Sequence, residues 1–109
     1  MATAYKVLGQ IAPAATTATA VYTVPSATEA VVSSVTVCNR SGLSATFRLS
    51  VRPDGATLAN QHYLVYDAIV GVNDTIILTI GVTMDAADVL EAYASSGDLT
   101  FHAYGSEIS

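Results

Sequence analysis

Between Val21 and Gly42 the chain reads V-Y-T-V-P-S-A-T-E-A-V-V-S-S-V-T-V-C-N-R-S-G, a run dominated by Val, Thr and Ser that is charged only at Glu29 and Arg40. β-Branched side chains are stiff at χ1 and fit a pleated, half-buried surface better than a helix. Pro25 cannot donate to a strand ladder, so it ends one strand and leaves a corner before the next. The stretch therefore reads as two strands and a bend.

The same pattern runs along the whole chain, with turn signals at the spacing of about eight to twelve residues expected of a sandwich or barrel. Strand-like runs are Ala4 to Ile11, ended by A-P-A-A; Thr17 to Val24; Glu29 to Asn39, closed by N-R-S-G; and Ser44 to Arg52, which meets P-D-G. Four more follow: Gln61 to Ala68, stopping near Gly71; Asp74 to Val82, leading into T-M-D-A-A-D; Asp88 to Ala94, before S-S-G-D; and Leu99 to Tyr104, stopped by Gly105. Pro-Asp-Gly and the Gly-bearing clusters are turn formers for stated stereochemical reasons.

Alternation at period two assigns faces within these runs. Phe47, Leu49 and Val51 alternate with Arg48, Ser50 and Arg52, and Ile76, Leu78 and Ile80 with Thr75, Ile77 and Thr79. Val31, Val35 and Val37 share one face; Ala30, Ser34, Thr36 and Cys38 share the other. No stretch of helical length shows i, i+3, i+4 apolar spacing, and at most Thr83 to Asp88 makes a single turn. The expectation is an all-β chain: one compact β-sandwich over residues 1–109, jelly-roll-like or Greek-key, with about eight antiparallel strands. Sequential runs of this kind fit several wirings, so strand order stays open.

Charge is scarce. Charged residues make up 12% of the chain against 51% hydrophobic, whereas about a quarter is usual, and mean hydropathy is +0.47. No window of spanning length is continuously apolar, since Thr and Ser interrupt every run, and this argues against a membrane helix. The start M-A-T-A-Y-K-V-L-G-Q lacks the basic and apolar regions of a signal peptide and predicts a product made in the cytosol. The net charge of −5, with Lys6, Arg40, Arg48 and Arg52 as the only basic residues, argues against nucleic acid and anionic lipid as partners. The missing charge predicts that part of the surface is covered in the working state, most simply by self-association.

Catalytic signals are weak. A nucleophile needs a base and an orienting group, and the candidates are Cys38 with His62 or His102, each read more simply as a small buried hydrophobe or a surface strand residue. Two histidines without metal-ligand spacing predict no metal centre. Asp74, Asp85 and Asp88 put oxygens on loops, as calcium requires, but read first as turn formers bonding their own backbone. Asp67, Glu91 and Asp98 are candidates for a carboxylate pair, with nothing that pairs them. The expectation is no enzyme and no cofactor. H-Y-L-V-Y-D at 62–67 sets Tyr63 and Tyr66 on opposite faces and, with Tyr93 and Tyr104, offers an aromatic epitope.

Across nearly its whole length the chain resembles small β-sandwich structural proteins of tailed bacteriophages. The resemblance is carried in order by K-V-L-G-Q, V-Y-T-V-P, A-V-V-S-S-V-T-V-C-N-R, F-R-L-S-V-R-P-D-G, H-Y-L-V-Y-D, N-D-T-I-I-L-T-I-G, D-V-L-E-A-Y-A and L-T-F-H-A-Y-G-S-E-I. It implies a virion protein that packs with its own copies as a homotrimer or other homo-oligomer. Its further partner would be the phage major capsid protein or another virion protein, with decoration or cement ahead of a tail, collar or fibre module that binds host glycan. The interface residues expected on that reading are Tyr5, Val7 and Leu8 on an N-terminal strand free to add to a neighbour's sheet, Arg48 and Arg52 facing acidic partners, and Tyr63 and Tyr66.

Overall fold

The computed structural model describes residues 2–109 as nine antiparallel strands in two sheets. They are β1 (Thr3–Ile11), β2 (Thr19–Thr23), β3 (Glu29–Asn39), β4 (Ala45–Arg52), β5 (Tyr63–Val70), β6 (Thr75–Leu78), β7 (Val82–Met84), β8 (Val89–Ala94) and β9 (Leu99–Ile108). Short 3-10 turns at Pro53–Gly55 and Asn60–His62 link β4 to β5. One sheet has the order β1-β9-β3-β6, with β7 also on β3; the other is β2-β8-β4-β5.

β6 and β7 lie one after the other along β3, Leu78 to Thr75 against Val35 to Cys38 and Val82 to Met84 against Val32 to Ala30. They act as one interrupted strand. Counted so, the pairs are nested: first with last, second with second-last, third with third-last, and the middle two together. That is the wiring of a jelly roll, an antiparallel ribbon rolled up until alternate pairs fall in opposite sheets.

The run from Asp74 to Val82 is thus not continuous. β6 ends at Leu78, the backbone turns through Gly81 at a φ of 58°, and β7 continues to Met84, where the sequence pattern suggested a turn. The last strand also passes through Gly105 rather than stopping there.

Each sheet buries one face. Phe47 and Phe101 meet edge to face at 6.1 Å between ring centres, surrounded by the fully buried Val32, Val35, Val37, Leu49, Leu90 and Leu99. Burying a side chain of this size contributes roughly 1.5–3 kcal/mol. The alternations in β4 and β6 hold: Phe47 and Leu49 are buried and Val51 packs against them, as do Ile76 and Leu78.

β3 departs from simple alternation. Ala30 and Val32 point inward, then Val35, Val37 and Asn39 do, because Ser33 is an extra residue between Val32 and Ser34. A one-residue insertion moves every later side chain to the other face. Val31 therefore faces away from Val35 and Val37, against the expectation from spacing alone. β1 has its own extra residue, Leu8, between Val7 and Gly9. Both neighbours of β9 are bulged at the level of Tyr104.

Glycine makes this possible. A Cβ on Gly105 would lie 1.8 Å from the Val31 carbonyl oxygen, and one on Gly9 2.0 Å from that of Val21. The Ser33 hydroxyl fixes the bulge by donating to the Tyr104 carbonyl at 3.0 Å. At the far end of β3 the buried Asn39 amide donates to the carbonyls of Leu43 and Gly71 and accepts from the Ser41 amide. It ties the N-R-S-G turn to the loop before β6.

Gly105→Ala should lower stability by roughly 1–3 kcal/mol, the usual result of forcing an extra group into a packed site, read from the urea midpoint. Gly97, with nothing near its Cβ position, is the control: Gly97→Ala should leave the midpoint where it is. Equal effects at the two positions would contradict the close approach.

Candidate functional site

The four basic side chains all bond within the chain, and where they sit decides what the two outer faces can do. On the β2-β8-β4-β5 sheet, Arg48 of β4 lies opposite Tyr93 of β8. Its guanidinium stands 4.1 Å from the Tyr66 ring centre and 4.5 Å from that of Tyr93, a cation held between two aromatic faces. Its Nε donates to Asp67 Oδ1 at 2.7 Å, a bond that raises its pKa further.

A distorted strand builds this cluster. β5 has more residues than β4 between Tyr63 and Ala68, and Asp67 takes a left-handed φ of 52°. The bulges turn Tyr63 and Tyr66 to the same side, with rings 4.9 Å apart and perpendicular. The expectation of opposite faces fails because period two does not survive an inserted residue.

Arg52 is also occupied. It bonds Glu91 Oε2 at 3.0 Å and the carbonyls of Gly55 and Ala56. Arg40 donates to the Gly97 carbonyl. Arg48 and Arg52, expected to face a partner's acids, each pair with an acid of their own chain, Asp67 and Glu91.

Where β1, β2 and β9 meet, the Glu107 carboxylate takes Lys6 Nζ at 2.6 Å on one oxygen and the Tyr22 hydroxyl at 2.5 Å on the other. Lys6 and Tyr22, as hydrogen-bond donors, hold the pKa of Glu107 below its ordinary value, while burial first and then Glu107 push the Tyr22 phenol well above its own. β1 is therefore anchored. It pairs with β9 from Thr3↔Ile108 to Ile11↔Phe101, so the N-terminal strand is an edge strand in place and not a free arm. Tyr5 and Val7 are exposed on it, while Leu8 packs against the core.

The outer face of the β1-β9-β3-β6 sheet is different. Reading across the strands, its rows are Ile77–Thr36–His102–Gln10, Thr75–Cys38–Thr100, Ser34–Tyr104–Val7, Val31–Ser106–Tyr5 and, at the end, Glu29–Ile108–Thr3. Glu29, exposed at the first position of β3, is the one charged residue in them. His102 Nδ1 is 2.7 Å from the Tyr104 hydroxyl and 3.4 Å from the Gln10 amide nitrogen. A hollow of about 390 Å³ opens among Tyr5, Lys6, Val31, Ser33, Tyr104 and Ser106. The Thr-Phe-His-Ala-Tyr alternation of β9 could have revealed the His102–Tyr104 row, but the bulges that bring Val31 and Val7 beside it leave no mark in the spacing.

The groups weighed for chemistry are dispersed. His62 Nδ1 accepts the Ala59 amide and closes a turn, and Thr36 rather than Cys38 stands opposite His102. Asp74, Asp85 and Asp88 accept main-chain amides at 2.8 Å, the turn-forming role. Asp67 and Glu91 each hold an arginine, and Asp98 lies in the loop before β9. Among the described residues no three His, Cys, Asp or Glu side chains gather as metal ligands, and no helix is long and apolar enough to cross a membrane. Comparison with protein-family models gives no match, and comparison with curated protein sequences gives none.

Glu107 makes a pH test. A carboxylate whose folded pKa is depressed contributes stability that is present above the unfolded value of 4.5 and lost as pH falls through the folded one. Glu107→Gln should lower stability at pH 7 by about 1 kcal/mol. The gap to the wild type should close below about pH 4. Thermal melts across that range decide it; a gap of constant size would mean that the Glu107 charge contributes nothing.

Proposed function

We propose that this chain is a structural protein of a phage particle, a self-associating decoration or cement protein that seats on the lattice of the major capsid protein. The observation that carries the reading is the charge-poor outer face of the β1-β9-β3-β6 sheet, whose one ion, Glu29, stands at its end, on a chain of net charge −5. Burying an ion is costly unless it is paired; the middle of this face, made of Thr, Ser, Tyr, Val and Ile, has none to bury. Its hydroxyls can donate or accept as the partner requires. The ordered resemblance to phage β-sandwich proteins and the jelly-roll wiring, frequent among capsid domains, support the same reading.

A second reading has one observation in its favour. Tyr66 and Tyr93 flank Arg48 on the opposite sheet, Tyr63 stands edge-on to Tyr66, and Tyr66 is 59% exposed; aromatic faces beside polar groups suit a sugar ring. On that reading the chain is a tail-, collar- or fibre-associated module that binds host glycan.

Copy number per purified particle, measured by quantitative mass spectrometry against the major capsid protein, separates the two. A ratio near that of the capsid protein is expected for a decoration protein; a ratio far below it would transfer the chain to tail, collar or fibres, and absence from the particle would sink both. Thr36→Arg, which sets a charge in the middle of the face, should abolish attachment while leaving the thermal midpoint unchanged. Tyr66→Ala should leave attachment intact.

A further inference from the structure

We infer that two copies of this chain pair edge to edge through β1, antiparallel about a two-fold axis, to join their β1-β9-β3-β6 sheets into one continuous sheet. The inference stands whether or not the chain belongs to a virion. A sheet edge presents a row of unpaired N–H and C=O groups, and proteins usually shield such edges with charge, bulges or short strands. The other edges here are shielded. β6 and β7 are broken apart at Thr79–Gly81. β5 is bulged and left-handed at Asp67. β2 has five residues with an irregularity beside Val21, and β1 passes against it at Gly9.

β1 is the exception. Thr3–Val7 pairs residue for residue with Ile108–Tyr104 of β9, without a bulge. Among the described residues no main-chain hydrogen bond from another element reaches the other side of this segment. Its one charged side chain, Lys6, is half exposed but neutralised by Glu107, so no unpaired ion stands along the edge. An antiparallel edge is complementary to itself, which makes a second copy the natural occupant under two-fold symmetry.

Electrostatics select the site rather than the occupant. Two chains of −5 repel one another, but this segment sets no free acid against an acid, since Glu107 is bonded by both Lys6 and Tyr22. The register that uses all five residues sets Tyr5 opposite Tyr5 of the second copy and Thr3 opposite its Val7. Tyr5 is the most exposed of the large apolar side chains, at 86%, and pairing gives it an aromatic neighbour. The two charge-poor faces then lie side by side as one platform.

Neighbouring residues of a strand point their N–H groups to opposite sides. Ala4→Pro and Tyr5→Pro therefore remove one inward and one outward donor. Sedimentation equilibrium of the wild type should show a dimer. One of the two proline variants should weaken it about tenfold or more with its thermal midpoint kept, while the other lowers the midpoint through the β9 ladder. Tyr5→Cys in a Cys38→Ser background should give a disulfide-linked dimer on mild oxidation. Thr36→Arg should leave the dimer whole. A chain that stays monomeric up to about 1 mM, a dimer that survives both prolines, or one dissolved by Thr36→Arg would overturn the pairing.

Discussion

One sheet depends on how closely β3 can approach β9 at Gly105. With no Cβ there, the Val31 carbonyl lies where a side chain would otherwise stand. Ser33 can then be extruded from β3 and bound to the Tyr104 carbonyl. Leu8 is extruded from β1 at the same level. Bulges increase local twist and re-aim the residues beyond them. The consequence is a sheet with two halves: one half lays Val35, Val37 and Phe101 into the core, and the other carries Ala30, Val32 and the Lys6–Glu107–Tyr22 group at its end.

The two outer faces divide the polar work between them. The β2-β8-β4-β5 sheet concentrates ions and neutralises them locally, Arg48 with Asp67 and Arg52 with Glu91, with tyrosines stacked on the first pair. Partly exposed pairs of this kind contribute little to stability, but they keep cations off the opposite face. The outer face of the β1-β9-β3-β6 sheet is left with hydroxyls, one histidine, scattered apolar side chains and a single carboxylate, Glu29, at its end. A chain with this little charge could have spread it evenly; instead the middle of one broad surface has nothing to desolvate but hydroxyls, amides and an imidazole.

Much of the fold was legible in the sequence because it rests on alternation and turn chemistry. Phe47, Leu49, Ile76 and Leu78 point where period two sends them, and P-D-G and N-R-S-G turn the chain where they should. What escaped was every place where alternation resets. The bulge at Ser33 moves Val31 to the outside, and Asp67 brings Tyr63 and Tyr66 together. Gly105 passes through a strand instead of ending it. Such insertions are set by contact with strands distant in sequence, so local spacing carries no trace of them. The internal pairs of Arg48 and Arg52 escaped for a related reason: their partners Asp67 and Glu91 lie 19 and 39 positions away and become neighbours only through the pairing of β4 with β5 and β8.

The nested wiring also ranks the strands by how hard they are to hold. β4 and β5 are joined by the short link through Pro53–His62, so their pairing closes a small loop. β1 and β9 enclose everything between them. The chain entropy lost on closing a loop grows with its length, and β1 brings few buried side chains to offset it, Leu8 and Ile11 chief among them. The strand offering the most open edge is therefore also the one that the monomer's own topology secures least. A second copy laid along that edge would act as a clasp, fastening from outside the end of the roll that is first to unwind.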